Sequence, residues 1–265
     1  MCDNFAEAVL RFAELTAPAI RALDREETLI LAPIAACEQH ARHLPVFTDS
    51  ILCAAVADGV EKLNRSHVLL LPVFWLGASE HHLPFGGTLT ATLPTYETML
   101  VELLSPLLRD GFRRVLVLNG HGGNIDPMRV ALRRLDVMFP QAVLTGAAYW
   151  DLASEEIAAL CSGPRKAMGH ACEIETSMIM HLRPDLVQND EIADDPETTP
   201  EGLQGISWPR DFGRSTHHGA VGYPTFASAE TGRFMLEAII RKVAETAERI
   251  RQLSGSSLKE TPTIM

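Results

Sequence analysis

Arg114-Val-Leu-Val-Leu-Asn-Gly-His-Gly-Gly-Asn-Ile-Asp-Pro127 reads as strand, loop and helix in one short span. Arg114 to Leu118 is a continuous apolar run behind one arginine, the pattern of a strand buried on both faces. Asn119 to Asn124 breaks that run with glycines. Pro127 then falls at an early helical position, where its missing N–H costs nothing.

The same order recurs on both sides. Thr28 to Ile34 is a second buried strand, followed by a motif-rich loop, Ala35 to Asp49, and a helix from Ser50 to Asn64. Val68 to Trp75 reads as a strand, Gly77 to Gly87 as a Gly/His-rich loop, and Thr95 to Gly111 as a helix that stops at the glycine. Downstream, Ala142 to Tyr149 is a strand and Glu173 to Leu182 a helix that stops before Pro184. Gln188 to Arg214 is a long polar loop, and Phe234 to Leu253 a final helix. An opening helix is expected over Phe5 to Leu23. Strands alternating with helices predict an α/β protein with a mostly parallel sheet and helices on both faces. No repeat or linker divides the chain, so residues 1–265 read as a single domain, with a tail frayed after about residue 254.

The net charge of −11 and the absence of a Lys/Arg cluster argue against a nucleic-acid partner and against an anionic membrane surface. The cysteine count of 5 is odd and contains no CxxC pair, which excludes a thiolate zinc site of the usual spacing. Met1 to Arg11 lacks a basic segment followed by an apolar run, and no stretch is apolar enough to span a bilayer. The expectation is a cytoplasmic protein without membrane contact.

The densest polar clusters directly follow predicted strands, where ligands bind in parallel sheets. In Cys37-Glu-Gln-His-Ala-Arg-His-Leu-Pro-Val-Phe-Thr-Asp49, Glu38 and His40 project to one side of an extended segment. With Asp49 they offer oxygen and nitrogen donors suited to Zn²⁺, Mn²⁺ or Fe²⁺; the alternative is a surface loop of scattered polar residues. His121 occupies the centre of Asn119–Asn124. That favours a metal or acid–base role over a phosphate-binding turn, because the P-loop spacing is missing. In Gly169-His-Ala-Cys-Glu-Ile-Glu-Thr176, His170 and Glu173 are three apart and would share a helical face, with Glu175 orienting a ligand from behind. The alternative is an exposed, acidic helix start.

Together these segments resemble the creatininase (creatinine amidohydrolase) family, whose pattern looks like E-Q-H-G-x-H-L-P-x-x-x-D, N-G-H-x-G-N and G-H-A-G-E-x-E-T-S. Ser79-Glu-His-His-Leu-Pro-Phe-Gly-Gly-Thr88 and Gly219 to Glu230 are weaker matches. The resemblance implies a three-layer α/β/α sandwich and a two-metal centre that cleaves a C–N amide bond of a small, possibly cyclic, substrate with metal-activated water. It implies that Glu38 and His121 bind one metal, His40 the other, and that Asp49 bridges them. Creatininases proper carry a glutamate two residues after the N-G-H histidine; here Gly123 stands there, and the resemblance transfers that ligand role to Glu173. His170 matches the proton carrier. Asn119 and Glu175 would support the ligands from behind. Zn²⁺ is the leading expectation for both ions, with Mn²⁺ or Fe²⁺ as alternatives, and a homo-oligomer, a hexamer in the family, is expected.

Ala41, Arg42, Cys172 and Gly86 depart from the family pattern. Arg42 could fork onto a substrate carboxylate or face solvent. His82 and Trp150 are candidate substrate contacts, and His217 and His218 weaker ones. Competing functions are a metallopeptidase trimming a short peptide, a non-catalytic metal-binding scaffold, and a thiol enzyme using Cys37 or Cys172.

Overall fold

A computed structural model of the chain describes residues 10–196 and 208–253. Strands β1 (Leu29–Ile34), β2 (Val68–Leu70), β3 (Arg114–Asn119) and β4 (Val143–Ala148) form one parallel sheet in the order β2-β1-β3-β4. The helices are α1 (Ala17–Arg21), α2 (Thr48–Leu63), α3 (Leu93–Arg109), α4 (Ile125–Met138), α5 (Tyr149–Leu152), α6 (Ser154–Leu160), α7 (Glu173–Leu182), α8 (Phe212–Ser215) and α9 (Ala229–Gln252).

The apolar runs form buried strands because both pleat faces need covering. Leu29 and Leu31 of β1, with Leu116 and Leu118 of β3, pack with Val56 and Val60 of α2, Met178 of α7 and Ile239 of α9. Ile30, Ala32 and Ile34, with Val115 and Val117, point the other way, onto Tyr96 and Leu100 of α3 and Leu135 of α4. Each fully buried Leu or Ile contributes about 1.5–3 kcal/mol. The result is the expected three-layer α/β/α sandwich.

From β1 the chain moves to β2 on one side, then crosses back to β3 on the other. The β1–β3 boundary is therefore the point where the winding reverses, and Ile34 pairs with Asn119 at its carboxyl end. The loops leaving those two residues open into the crevice where parallel sheets bind ligands.

Local structure departs from expectation in three places. The expected Phe5–Leu23 helix shrinks to α1 and a 3₁₀ turn at Phe12–Glu14; residues 1–9 lie outside the described residues. The Leu10 carbonyl accepts the Leu70 N–H at 2.9 Å, so residues 10–11 run beside β2 instead of coiling. Strand β2 stops at Leu70 because Pro72 has no N–H to donate, and the chain rejoins the sheet only at the Ile34–Phe74 bridge. Helix α9 starts at Ala229, earlier than the apolar pattern suggested, because the Ser228 hydroxyl caps the Thr231 N–H at 3.1 Å. Parts of the expected 188–214 loop and the tail after 254 lie outside the described residues. Among the described residues, no helix is long and apolar enough to cross a membrane.

Candidate metal centre

Glu38 and His40 sit on the loop leaving β1. Its backbone is tied down by Glu38 N–H to the Val46 carbonyl at 2.8 Å and Leu89 N–H to the Cys37 carbonyl at 2.9 Å. Asp49 lies in the first turn of α2, and His121 follows β3. Asn119 clamps the His121 backbone, donating to its carbonyl at 2.7 Å and accepting its N–H at 3.0 Å. Asn124 joins the β1 loop to the 78–79 loop through Ala35 and Ala78.

Glu38, His40, Asp49, His121 and His170 are all buried and converge. Asp49 spans two groups: Oδ1 lies 3.1 Å from His40 Nε2, and Oδ2 lies 3.1 Å from His121 Nδ1. Glu38 Oε1 is 3.1 Å from His121 Nδ1. The donor atoms of Glu38, Asp49 and His121 form one set that could hold a metal ion, and those of His40, Asp49 and Glu175 another. Glu38, His40 and His170 make a third such set.

The far side of each ring fixes its tautomer. His40 Nδ1 faces the Glu38 carbonyl at 3.1 Å, and His121 Nε2 faces the Ala78 carbonyl at 3.3 Å and the Ser79 hydroxyl at 3.2 Å. A carbonyl only accepts, so each ring donates there and leaves its other nitrogen, the one facing Asp49, for a metal ion to take in place of a proton, the arrangement that supports metal-binding histidines. Both Glu38 carboxylate oxygens and Asp49 Oδ2 are buried without a hydrogen-bonding partner. Buried anionic oxygens left this way call for a cation. The donor set fits a divalent ion of the zinc, manganese or iron kind.

The electrostatics agree. Burial, reinforced by Asp49, pushes the Glu38 carboxyl up against the pull of His121. Burial also opposes charge on Asp49, yet His40 and His121 hold its carboxyl below the ordinary range. Burial works against charge on His121 as well, but Glu38 and Asp49 lift it to about 10. His170 goes the other way: burial, then the His40 charge, drive it well below the ordinary histidine value.

The expectation for Glu173 is corrected. The structure turns its two carboxylate oxygens to the Ser162 and Gly163 N–H groups, at 2.7 and 2.9 Å, where it anchors the loop that leads to His170. The i,i+3 argument failed because α7 begins at Glu173 and His170 lies outside it. Glu175 takes the position beside the cluster, with Oε1 3.7 Å from His40 Nε2. As the third residue of α7 its Oε2 reaches back to the Cys172 N–H at 3.4 Å, and this capping box aims the carboxylate.

Gly123 shows why no acid serves two residues after His121: a Cβ there would lie 2.2 Å from the Ala78 carbonyl oxygen. We expect Gly123→Glu to fold poorly, with soluble yield and thermal unfolding as the readout. Ala41, where the family pattern has glycine, carries φ +53°. Ala41→Gly should therefore raise stability by about 1 kcal/mol and Tm by about 2–4 °C, checked by thermal denaturation.

Of the candidate substrate contacts, exposed Arg42 lines a cavity of about 220 Å³ with His43, Asp190, Glu191 and His218. His82 is buried, with Nε2 3.1 Å from Glu38 Oε1, so it stands behind a carboxylate instead of lining an open surface. Trp150 packs on the core with its ring edge-on to Tyr149. His217 donates its backbone N–H to Asp195. The sequence carried no signal for Phe212, whose ring covers His82 at 4.1 Å and His170 at 5.0 Å between centroids. Ser79 and Gln39 lie inside the motifs, but nothing in their spacing signals a role. Burial raises the Cys37 thiol, and lifts Cys172 to about 12, which removes the thiolate a thiol enzyme needs.

The family model for creatininase, described as creatinine amidohydrolase, matches residues 13–247. The chain is 29% identical over 226 residues to the mycofactocin precursor peptide peptidase of Mycolicibacterium smegmatis, covering 83% of this chain and 85% of that protein. It is 28% identical over 240 residues to the creatinine amidohydrolase of Pseudomonas putida, covering 83% and 88%. A solved creatininase variant superposes with a TM-score of 0.76 at 25% identity, covering 93% of this chain and 100% of that one.

Proposed function

Because the chain belongs to the creatininase family, we propose that it is a dinuclear metallohydrolase that cleaves a C–N amide bond of a small substrate. One observation carries the dinuclear reading: Asp49 presents one oxygen to His40 and the other to His121, at 3.1 Å each. Glu38, Asp49 and His121 would hold one divalent ion; His40, Asp49 and Glu175 would hold the second. Zinc is the proposed metal for both. Bound there, the ions would supply an acidified water and a Lewis acid for the substrate carbonyl.

The chain's own residues supply the rest. Asp49 and Glu38 fix the spacing of the cluster. His170, anchored through Nε2 on the Gln39 carbonyl at 2.8 Å, presents Nδ1 to the cluster and moves the proton to the leaving nitrogen there. Phe212 covers His82 and His170 and keeps bulk water off the proton path. We read the described residues as one catalytic domain.

Metal analysis of the purified protein, coupled to an activity screen over lactams, formamides and short peptides, tests this. Absence of bound divalent metal after growth in metal-replete medium would refute it. Stripping the metal with a chelator should abolish turnover. It should also lower Tm by about 5–10 °C, because a ligand at 100 times its Kd stabilises by about 2.7 kcal/mol.

A second reading, a peptidase trimming a short peptide, draws support from the peptide peptidase relative and from Arg42 at an open cavity, where a guanidinium suits a peptide carboxylate. If Arg42 plays that part, Arg42→Met raises KM about tenfold for carboxylated substrates and leaves it unchanged for neutral ones. We further propose self-association through exposed apolar residues beside the site loops, Val46, Phe47, Trp75 and Leu89, which sedimentation analysis would check.

A further inference from the structure

Gln39 stands between Glu38 and His40, and its side-chain amide is held on every side. The Ala41 N–H donates to Oε1 at 2.9 Å. A backbone N–H has only a proton to offer, so that atom is the oxygen and the other the nitrogen. The amide nitrogen has two protons and three neighbours: the Gly219 carbonyl at 2.9 Å, His82 Nδ1 at 2.8 Å and His170 Nε2 at 3.2 Å. The last must itself donate to the Gln39 backbone carbonyl, so the protons go to Gly219 and His82. Gly219 makes the room: at φ +81°, any Cβ it carried would lie 2.4 Å from Gln39 Oε1.

Two ring tautomers follow from this one residue. His82 Nδ1 accepts, so it holds no proton, and the ring proton sits on Nε2, 3.1 Å from Glu38 Oε1. His170 Nε2 faces the Gln39 backbone carbonyl at 2.8 Å, which only accepts. That nitrogen carries the proton, and Nδ1 keeps its lone pair, 3.6 Å from Glu38 Oε1.

We propose that Gln39 is a positioning residue that sets both tautomers, making His82 an N–H donor behind Glu38 and leaving His170 Nδ1 free to receive a proton. His82 is then neither a metal ligand nor a substrate contact, although three imidazoles crowd Glu38. The two atoms lie 3.1 Å apart without forming a hydrogen bond in this structure, and on this proposal they form one when Glu38 holds a metal. A donor in that position fixes the ligand carboxylate, as partners behind metal ligands do. The inference rests on the proposed reading of Glu38 as a ligand.

Protein carrying ¹⁵N-labelled histidine, metal-free and zinc-loaded, reports each tautomer through long-range ¹H–¹⁵N correlation. His82 and His170 should both show the Nε2–H form in both states. In Gln39→Glu the carboxylate can only accept, so His82 should invert to Nδ1–H, and zinc affinity by chelator competition should fall about 10–100-fold. Gln39→Met, which removes the donor at similar volume, should leave His82 a mixture and serves if the glutamate variant does not fold. A wild-type His82 in the Nδ1–H form, a zinc-bound His82 Nε2, or an unchanged His82 tautomer in Gln39→Glu would overturn the proposal, whereas His170, held by the backbone carbonyl, should keep its Nε2–H form in that variant. Failure to bind zinc at all would instead overturn the metallohydrolase reading, while the metal-free tautomers still decide this one.

Discussion

Glu175→Ala is expected to leave the chain with one tightly held metal instead of two, whereas Glu173→Gln keeps both. The two glutamates are two residues apart in the first turn of α7, equally buried, and indistinguishable by the helix-dipole argument. What separates them is direction. Glu175 Oε1 lies 3.7 Å from His40 Nε2, in the set that includes Asp49. Glu173 spends both oxygens on the Ser162 and Gly163 N–H groups. Removing Glu175 deletes a proposed ligand, so affinity for the second ion should fall by more than the about 10–100-fold that loss of a supporting partner costs. Glu173→Gln turns one charge-assisted acceptor into a donor facing an N–H, so it should cost about 1–3 kcal/mol of stability and no metal. Elemental analysis and thermal denaturation of the same two preparations read both effects. A full metal complement in Glu175→Ala, or loss of metal in a folded Glu173→Gln, would reverse the assignment.

His170→Ala should keep its metals and lose turnover by about 10²–10⁴-fold, the range for a positioned proton carrier. The main chain around His170 is secured independently of its ring, since its N–H and carbonyl pair with Val221 at 3.1 and 2.7 Å. Burial, then the His40 charge, push its proton affinity well below the ordinary histidine value, which favours the neutral ring. A proton taken up at Nδ1 is therefore readily given to a poor leaving group such as an amide nitrogen. His170 also belongs to a set that could ligate a metal with Glu38 and His40. Metal content settles which role holds: loss of an ion in His170→Ala makes it a ligand, and retention with lost turnover makes it the proton carrier.

The two largest effects thus fall on residues from one motif, Gly169 to Ser177, and the sequence served them unequally. His170 was legible because it lies in a segment whose order and spacing match the family pattern. The choice between Glu173 and Glu175 was not, because it turns on where α7 begins. One residue of shift in a helix start rotates every side chain after it by about 100°.

The sequence by itself determined the layering and the place of the site. Apolar runs such as Thr28–Ile34 and Arg114–Leu118, short and rich in branched residues, read as strands buried on both faces, and the polar clusters directly after them fall at the carboxyl ends of neighbouring parallel strands. It also named Glu38, His40, Asp49 and His121, since each sits in a short motif whose local geometry is nearly self-contained. Only the tertiary structure decided which glutamate lies with His40 and Asp49, that His82 packs against Glu38, and that Phe212 covers His82 and His170. Those facts depend on contacts between segments 40 to 180 residues apart, and local spacing holds no information about which groups such contacts bring within hydrogen-bonding reach.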